Sequence, residues 1–128
     1  MTSTALITQS TGIATVEEWA KLDLKVPNSR VLRVTRVRRD GAVTLEEVIL
    51  PLERFPGLIA DGSDITVLTQ RYGLSLGRAT ERATIVPATR EVAKHLGIGV
   101  GADVMKLDRI AETADGEPVE WRVAFRKI

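Results

Sequence analysis

Val31-Leu-Arg-Val-Thr-Arg-Val-Arg-Arg-Asp-Gly-Ala-Val-Thr-Leu-Glu-Glu-Val-Ile-Leu50 decides the fold class. The β-branched run from Val31 to Val37 predicts a strand, and Asp40-Gly41 is a strong hairpin turn. Val43 to Leu50 supplies the return strand. A strand pair joined by so short a turn is antiparallel, because a parallel pair needs a long crossover. The same signals recur later: a strand over Asp103 to Ala111, a turn at Asp115-Gly116, and a last strand over Pro118 to Lys127.

Outward from the hairpins, helix signals appear. Thr15 is placed as an N-cap with Glu18 three residues on, and Val16, Trp19 and Ala20 lie on one side of the helix. Lys25-Val-Pro-Asn-Ser29 ends that element. Thr89 caps a second helix with Val92, Ala93 and Leu96 inward and Gly97 as terminator. Between the hairpins, residues 51–63 are a loop rich in Pro, Gly and Asp. Ser63 or Asp64 then caps a short helix through Tyr72, and Leu74 to Val86 alternates as a long strand. Residues 1–13 are a loose lead-in or an edge strand. The pattern is α+β, an antiparallel sheet flanked by helices, in a single domain over residues 1–128.

The two halves also resemble each other. Ala14-Thr-Val-Glu-Glu-Trp-Ala-Lys-Leu22 aligns with Ala88-Thr-Arg-Glu-Val-Ala-Lys-His-Leu96, and Val31 to Arg36 with Val104 to Arg109. Asp40-Gly41 aligns with Asp115-Gly116, and Leu45-Glu46 with Val119-Glu120. The near-constant offset predicts two helix–hairpin units in one sheet with approximate internal two-fold symmetry.

Composition removes whole classes of chemistry. The 128 residues include no Cys, which excludes disulfides, thiol nucleophiles and Cys-ligated metals. One His, His95, excludes two-His metal sites. The 18 basic and 17 acidic residues argue against generic polyanion binding by the whole chain. No apolar run is long enough to span a membrane, and the first residues lack the pattern of a signal peptide, so a cytoplasmic location is expected. No phosphate-binding loop, dinucleotide fingerprint or other cofactor motif is present, and Gly97-Ile-Gly-Val-Gly101 follows a helix where a dinucleotide loop would open one.

The chemistry concentrates on the first hairpin. Seven basic residues stand against Asp23 between 21 and 39, and six acidic ones against Arg54 between 40 and 67. Strand alternation puts Leu32, Val34, Arg36 and Arg38 on one face, and Val31, Arg33, Thr35, Val37 and Arg39 on the other. An apolar run ending in two arginines describes a face that leaves a core and enters a cavity, where paired guanidiniums suit a carboxylate or phosphate. The competing reading is a solvated basic strand paired with the acidic stretch after it. Glu46 and Glu120 hold matched places in the two units, and Arg126 shares a strand face with Glu120. Ser63 stands at a helix start, either as a plain cap or beside an anion.

Five short stretches resemble a known family in order and spacing: Leu32 to Arg38, Glu46-Glu-Val-Ile-Leu-Pro51, Phe55-Pro-Gly-Leu58, Arg71-Tyr-Gly73 and Gly116-Glu-Pro-Val-Glu120. Together they resemble the UTRA domain, the effector-binding part of HutC-type regulators in the GntR family. The resemblance implies a chorismate-lyase-like fold and a non-catalytic sensor of a small anionic metabolite. It also implies a homodimer that reaches DNA only through a winged helix-turn-helix domain, which these residues do not contain. It implies that Arg36, Arg38 and Ser63 hold an anionic group, that Glu46 and Glu120 contact the rest of the effector, and that no cofactor or metal is needed. The chain departs from many members by carrying Ser63-Asp-Ile65 where they have Ser-Leu-Tyr. An enzyme of the chorismate-lyase type on the same fold is the alternative.

Overall fold

The computed structural model describes residues 2–128. Both Asp-Gly turns close hairpins, with Gly41 and Gly116 at φ 74° and 84°, the left-handed backbone that glycine adopts without a Cβ clash. The first hairpin is β2 (Arg30–Asp40) and β3 (Ala42–Pro51), and the last is β5 (Asp103–Thr113) and β6 (Pro118–Lys127). Residues at the start of the chain form a strand, β1 (Ser3–Ile13), and β4 (Leu76–Pro87) is its counterpart in the second half. All strands join one antiparallel sheet in the order β1-β2-β3-β6-β5-β4. The hairpins therefore meet at β3 and β6 in the centre, and β1 and β4 lie at the edges. β1, α1 and the first hairpin are followed, after α2, by β4, α3 and the second hairpin. The stretch between the helix–hairpin units holds β4 besides the loop and α2.

Three short helices cover the sheet: α1 (Val16–Lys21), α2 (Ile65–Arg71) and α3 (Arg90–Leu96). Thr15 and Glu18 form the reciprocal capping box, and Thr89 and Gly97 bound α3 as expected. The inward face of α1 differs from the expected one. Val16 is 89% exposed and Ala20 is also exposed, while Glu18 is buried against Arg33, whose guanidinium donates to both its carboxylate oxygens at 2.7 and 2.8 Å. In so short a helix a charged fork fixes the orientation as well as an apolar stripe would. That pairing holds the Glu18 carboxyl below its usual range, Arg33 being the largest cause. Trp19, Trp121 and Phe125 are partly buried and pack against the edges of the core.

The two sheet faces have separate fillings. On one, α1 and α3 pack against Val31, Val37, Leu45 and Val104. On the other, residues 52–75 fold back, and Phe55, Leu58, Ile65 and Leu68 close over Leu32, Val34, Val48 and Leu50. This cover reaches only one end of the second face. The rest of it is the charged half.

Candidate functional site

The β2–β3 register sets Arg36 opposite Glu46 and Arg38 opposite Thr44. The β3–β6 register continues the rows, with Thr44 opposite Arg126, Glu46 opposite Ala124 and Val48 opposite Arg122. On β5, Arg109 stands opposite Arg122, and Ala111 opposite Glu120. Directly opposed residues share a face, so five arginines and two glutamates gather where the apolar cover ends. The apolar run of β2 thus leaves the core and reaches a cavity, as the alternation predicts.

Glu46 is the hub. Its Oε1 accepts from Arg36 Nε at 2.7 Å and lies 3.8 Å from Arg38, while its Oε2 lies 3.9 Å from Arg122. Arg36 is buried, and its Nη1 donates to the Ser63 carbonyl at 3.4 Å. Glu47, next in sequence, points to the opposite face. A cavity of about 220 Å³ opens beside this hub, bordered by Arg38, Asp40, Thr44, Glu46, Arg122 and Arg126. Cavities of comparable size occur elsewhere, one between α1 and Trp121 and another beside Gly41 and Leu96. They are not bordered by residues with a buried, unpartnered side-chain polar atom. On this sheet face Arg36 Nη2, Arg38 Nε, Arg109 Nε and Glu120 Oε1 are all buried without a hydrogen-bond partner among the described residues, and Arg38 borders the cavity itself. Buried polar groups ordinarily find partners, so such a concentration marks a place where a ligand completes the bonding.

Ser63 is adjacent, but its N–H and hydroxyl are engaged by exposed side chains of its own segment. Its N–H donates to Asp61, its Oγ accepts from Arg71 at 3.4 Å, and Asp64 is the residue that caps α2. What Ser63 brings to the site is its carbonyl, directed at Arg36. Arg126 is exposed at the cavity border. Arg122 and Arg109 are the site residues that sequence reading missed. The same alternation that put Arg126 on the face of Glu120 also puts Arg122 there, four residues nearer.

Glu120 is almost fully buried, and burial pushes its carboxyl above the usual glutamate range; Arg122, Arg36 and Arg109 oppose that shift, while Glu46 adds to it. An acid with a raised folded pKa binds more protons folded than unfolded. Stability therefore falls as pH rises from the unfolded to the folded value, and stays at that lower level above it. Glu120→Gln removes this loss. Its thermal midpoint is expected to equal or exceed wild type at neutral pH, with the difference disappearing below the ordinary glutamate pKa. A variant less stable at neutral pH than at acidic pH, relative to wild type, contradicts this.

Comparison with known proteins places this geometry. The UTRA domain matches residues 1–126. The helix-turn-helix transcriptional regulator YurK of Bacillus subtilis is 30% identical over 99 residues, which are 73% of this chain and 41% of YurK. The chain thus spans about two-fifths of that relative's length. The crystal structure of the C-terminal domain of YurK superposes with a TM-score of 0.82 at 26% identity, covering 95% of this chain and 87% of that one. The effector domain of PhnF from Mycobacterium smegmatis superposes with a TM-score of 0.87 at 21% identity, covering 99% and 81%, a likeness of fold. The fold, a six-stranded antiparallel sheet with three helices, is shared with these structures, and the family model matched over residues 1–126 shows that the chain belongs to the UTRA domain family.

Proposed function

We propose that the chain is the effector-binding domain of a cytoplasmic transcriptional regulator, that it binds a small anionic metabolite in the arginine cavity, and that it works as a homodimer. The observation that carries this reading is the buried, unpartnered Nε of Arg38 at the border of an open cavity, with unpartnered nitrogens of Arg36 and Arg109 on the same sheet face. Planar guanidinium donors match carboxylate and phosphate oxygens, and exclusion of water strengthens each bond. No helix among the described residues is long and apolar enough to cross a membrane. Relatives named as transcriptional regulators support a regulatory role over a chorismate-lyase-like reaction. Effector binding would favour one arrangement of the dimer and so reposition a DNA-binding domain attached to it.

Thermal unfolding against a panel of phosphorylated sugars, aromatic and dicarboxylic acids, acyl compounds and chorismate tests this. A ligand at a hundred times its dissociation constant adds roughly 2.7 kcal/mol, a midpoint rise on the order of 10 °C for a domain of this size. The rise is expected to vanish in Arg38→Ala, whose side chain borders the cavity, and to vanish in Arg36→Ala. Recovery of the ligand unchanged separates a sensor from an enzyme. Conversion to product overturns the non-catalytic reading.

A further inference from the structure

The site holds more arginine than one small anion engages, and Glu46 divides it. Arg36 and Arg38 stand on the β2 side of Glu46, and Arg122 and Arg126 on the β6 side, with Arg109 of β5 opposite Arg122. Arg38 and Arg126 lie in one row with Thr44 between them. Their Cα atoms are thus two strand spacings apart, roughly 10 Å. The midline is already taken by the Glu46 carboxylate, which draws Arg36, Arg38 and Arg122 toward itself. An acid group placed there would meet a like charge at close range.

Negative charge is therefore favoured at two lateral places. One is at Arg38, whose Nε is buried and unpartnered. The other is at Arg122 and Arg126, near Arg109. Among the described residues neither Arg109 nor Arg126 has a carboxylate within 4.0 Å, and Arg109 Nε is also buried and unpartnered. The acids on this face besides Glu46 are the buried Glu120, whose Oε1 lies 4.0 Å from Arg122 Nε but whose burial favours its neutral form, the exposed Asp40 at the cavity border, and the exposed Glu81 opposite Arg109 on β4. The two exposed carboxylates are screened by solvent and leave the lateral places positive. Between them, the Glu46 carboxylate and the Thr44 hydroxyl face the middle of an occupant.

We infer that the effector carries two separate acidic groups, one bound by the β2 arginines and one by the β6 arginines; this rests on the effector-binding reading of the same cavity. A volume of about 220 Å³ equals roughly seven water volumes, which suits a short-chain diacid or a small phosphorylated acid.

Titration calorimetry on the purified chain with matched pairs tests the inference: glutarate against glutaramate, and 2-phosphoglycerate against glycerol 2-phosphate. Each pair keeps the carbon skeleton and removes one acid group. At least one diacid is expected to bind roughly tenfold or more tightly than its counterpart, the scale of one charge-assisted hydrogen-bonded contact. Arg126→Gln and Arg122→Gln change a cavity-border side chain outside the apolar core and are expected to abolish the preference, the diacid falling to the affinity of its monoacid counterpart. Equal binding within both pairs, or a preference that survives both substitutions, overturns the two-acid inference and leaves a single-anion site standing. Absence of binding by every probe overturns it together with the effector-binding reading.

Discussion

Glu46→Ala is expected to destabilise the domain by about 3–5 kcal/mol, the range for removing one partner of a buried ion pair. Arg36 is 3% exposed, and its one short hydrogen bond runs to Glu46. Without that carboxylate the guanidinium keeps only the long contact to the Ser63 carbonyl, and one of its terminal nitrogens already has no partner. Arg38 and Arg122, now balanced across Glu46, would face each other with nothing between them. The cost is that of a stranded charge, so it depends on Arg36 being present. Glu46→Ala combined with Arg36→Met should recover most of the loss, since replacing both partners by apolar groups is often neutral. An added carboxylate such as acetate should raise the midpoint of Glu46→Ala more than that of wild type, because it substitutes for the missing group. Chemical denaturation of the three proteins decides the matter. A loss below about 1 kcal/mol, the range of a solvent-exposed pair, would show that the site is wetter than its geometry implies.

The hairpins were legible because their signals are local. Asp40-Gly41 and Asp115-Gly116 name their own turns, and β6 begins and ends at the residues that alternation marks, Pro118 and Lys127. The paired arginines on β2 were legible for the same reason: two residues apart on a strand means one face. What local reading does not supply is the pairing of β3 with β6, since nothing near Glu46 says that Ala124 lies opposite. Arg122 and Arg109 enter the site through that long-range register. The repeat alignment itself misleads here. It equates Arg36 with Arg109 and Glu46 with Glu120, yet Arg36 faces Glu46 while Arg109 faces Arg122, two residues beyond Glu120. Alternation marked β4 closely, whereas β1 was faint because it is exposed on both faces and leaves no apolar alternation to detect. For α1, a buried glutamate paired across to β2 determined the orientation, and periodicity of apolar residues cannot report that.

Phe55→Ala is the second large effect, expected at about 3–5 kcal/mol from lost burial and the cavity it leaves. Phe55 is fully buried and meets Tyr72 edge to face, with ring centroids 5.3 Å apart. Tyr72 in turn donates from its hydroxyl to the Pro56 carbonyl at 3.0 Å, so the two rings tie the loop after β3 to the end of α2. Together with Leu58, Ile65 and Leu68 they hold residues 52–75 against the sheet. That segment also carries Ser63, whose carbonyl contacts Arg36, so packing at Phe55 and polar order at the site are linked through one stretch of chain. Phe55→Leu retains most of the apolar volume and should lose markedly less stability, isolating the cavity from the aromatic contact. Under conditions where Phe55→Ala remains folded, amide hydrogen exchange should quicken first in residues 52–75, with β2 and β3 still protected. Uniform quickening across the sheet would mean that this cover and the sheet unfold as one unit, and that the cavity border cannot loosen independently of the core.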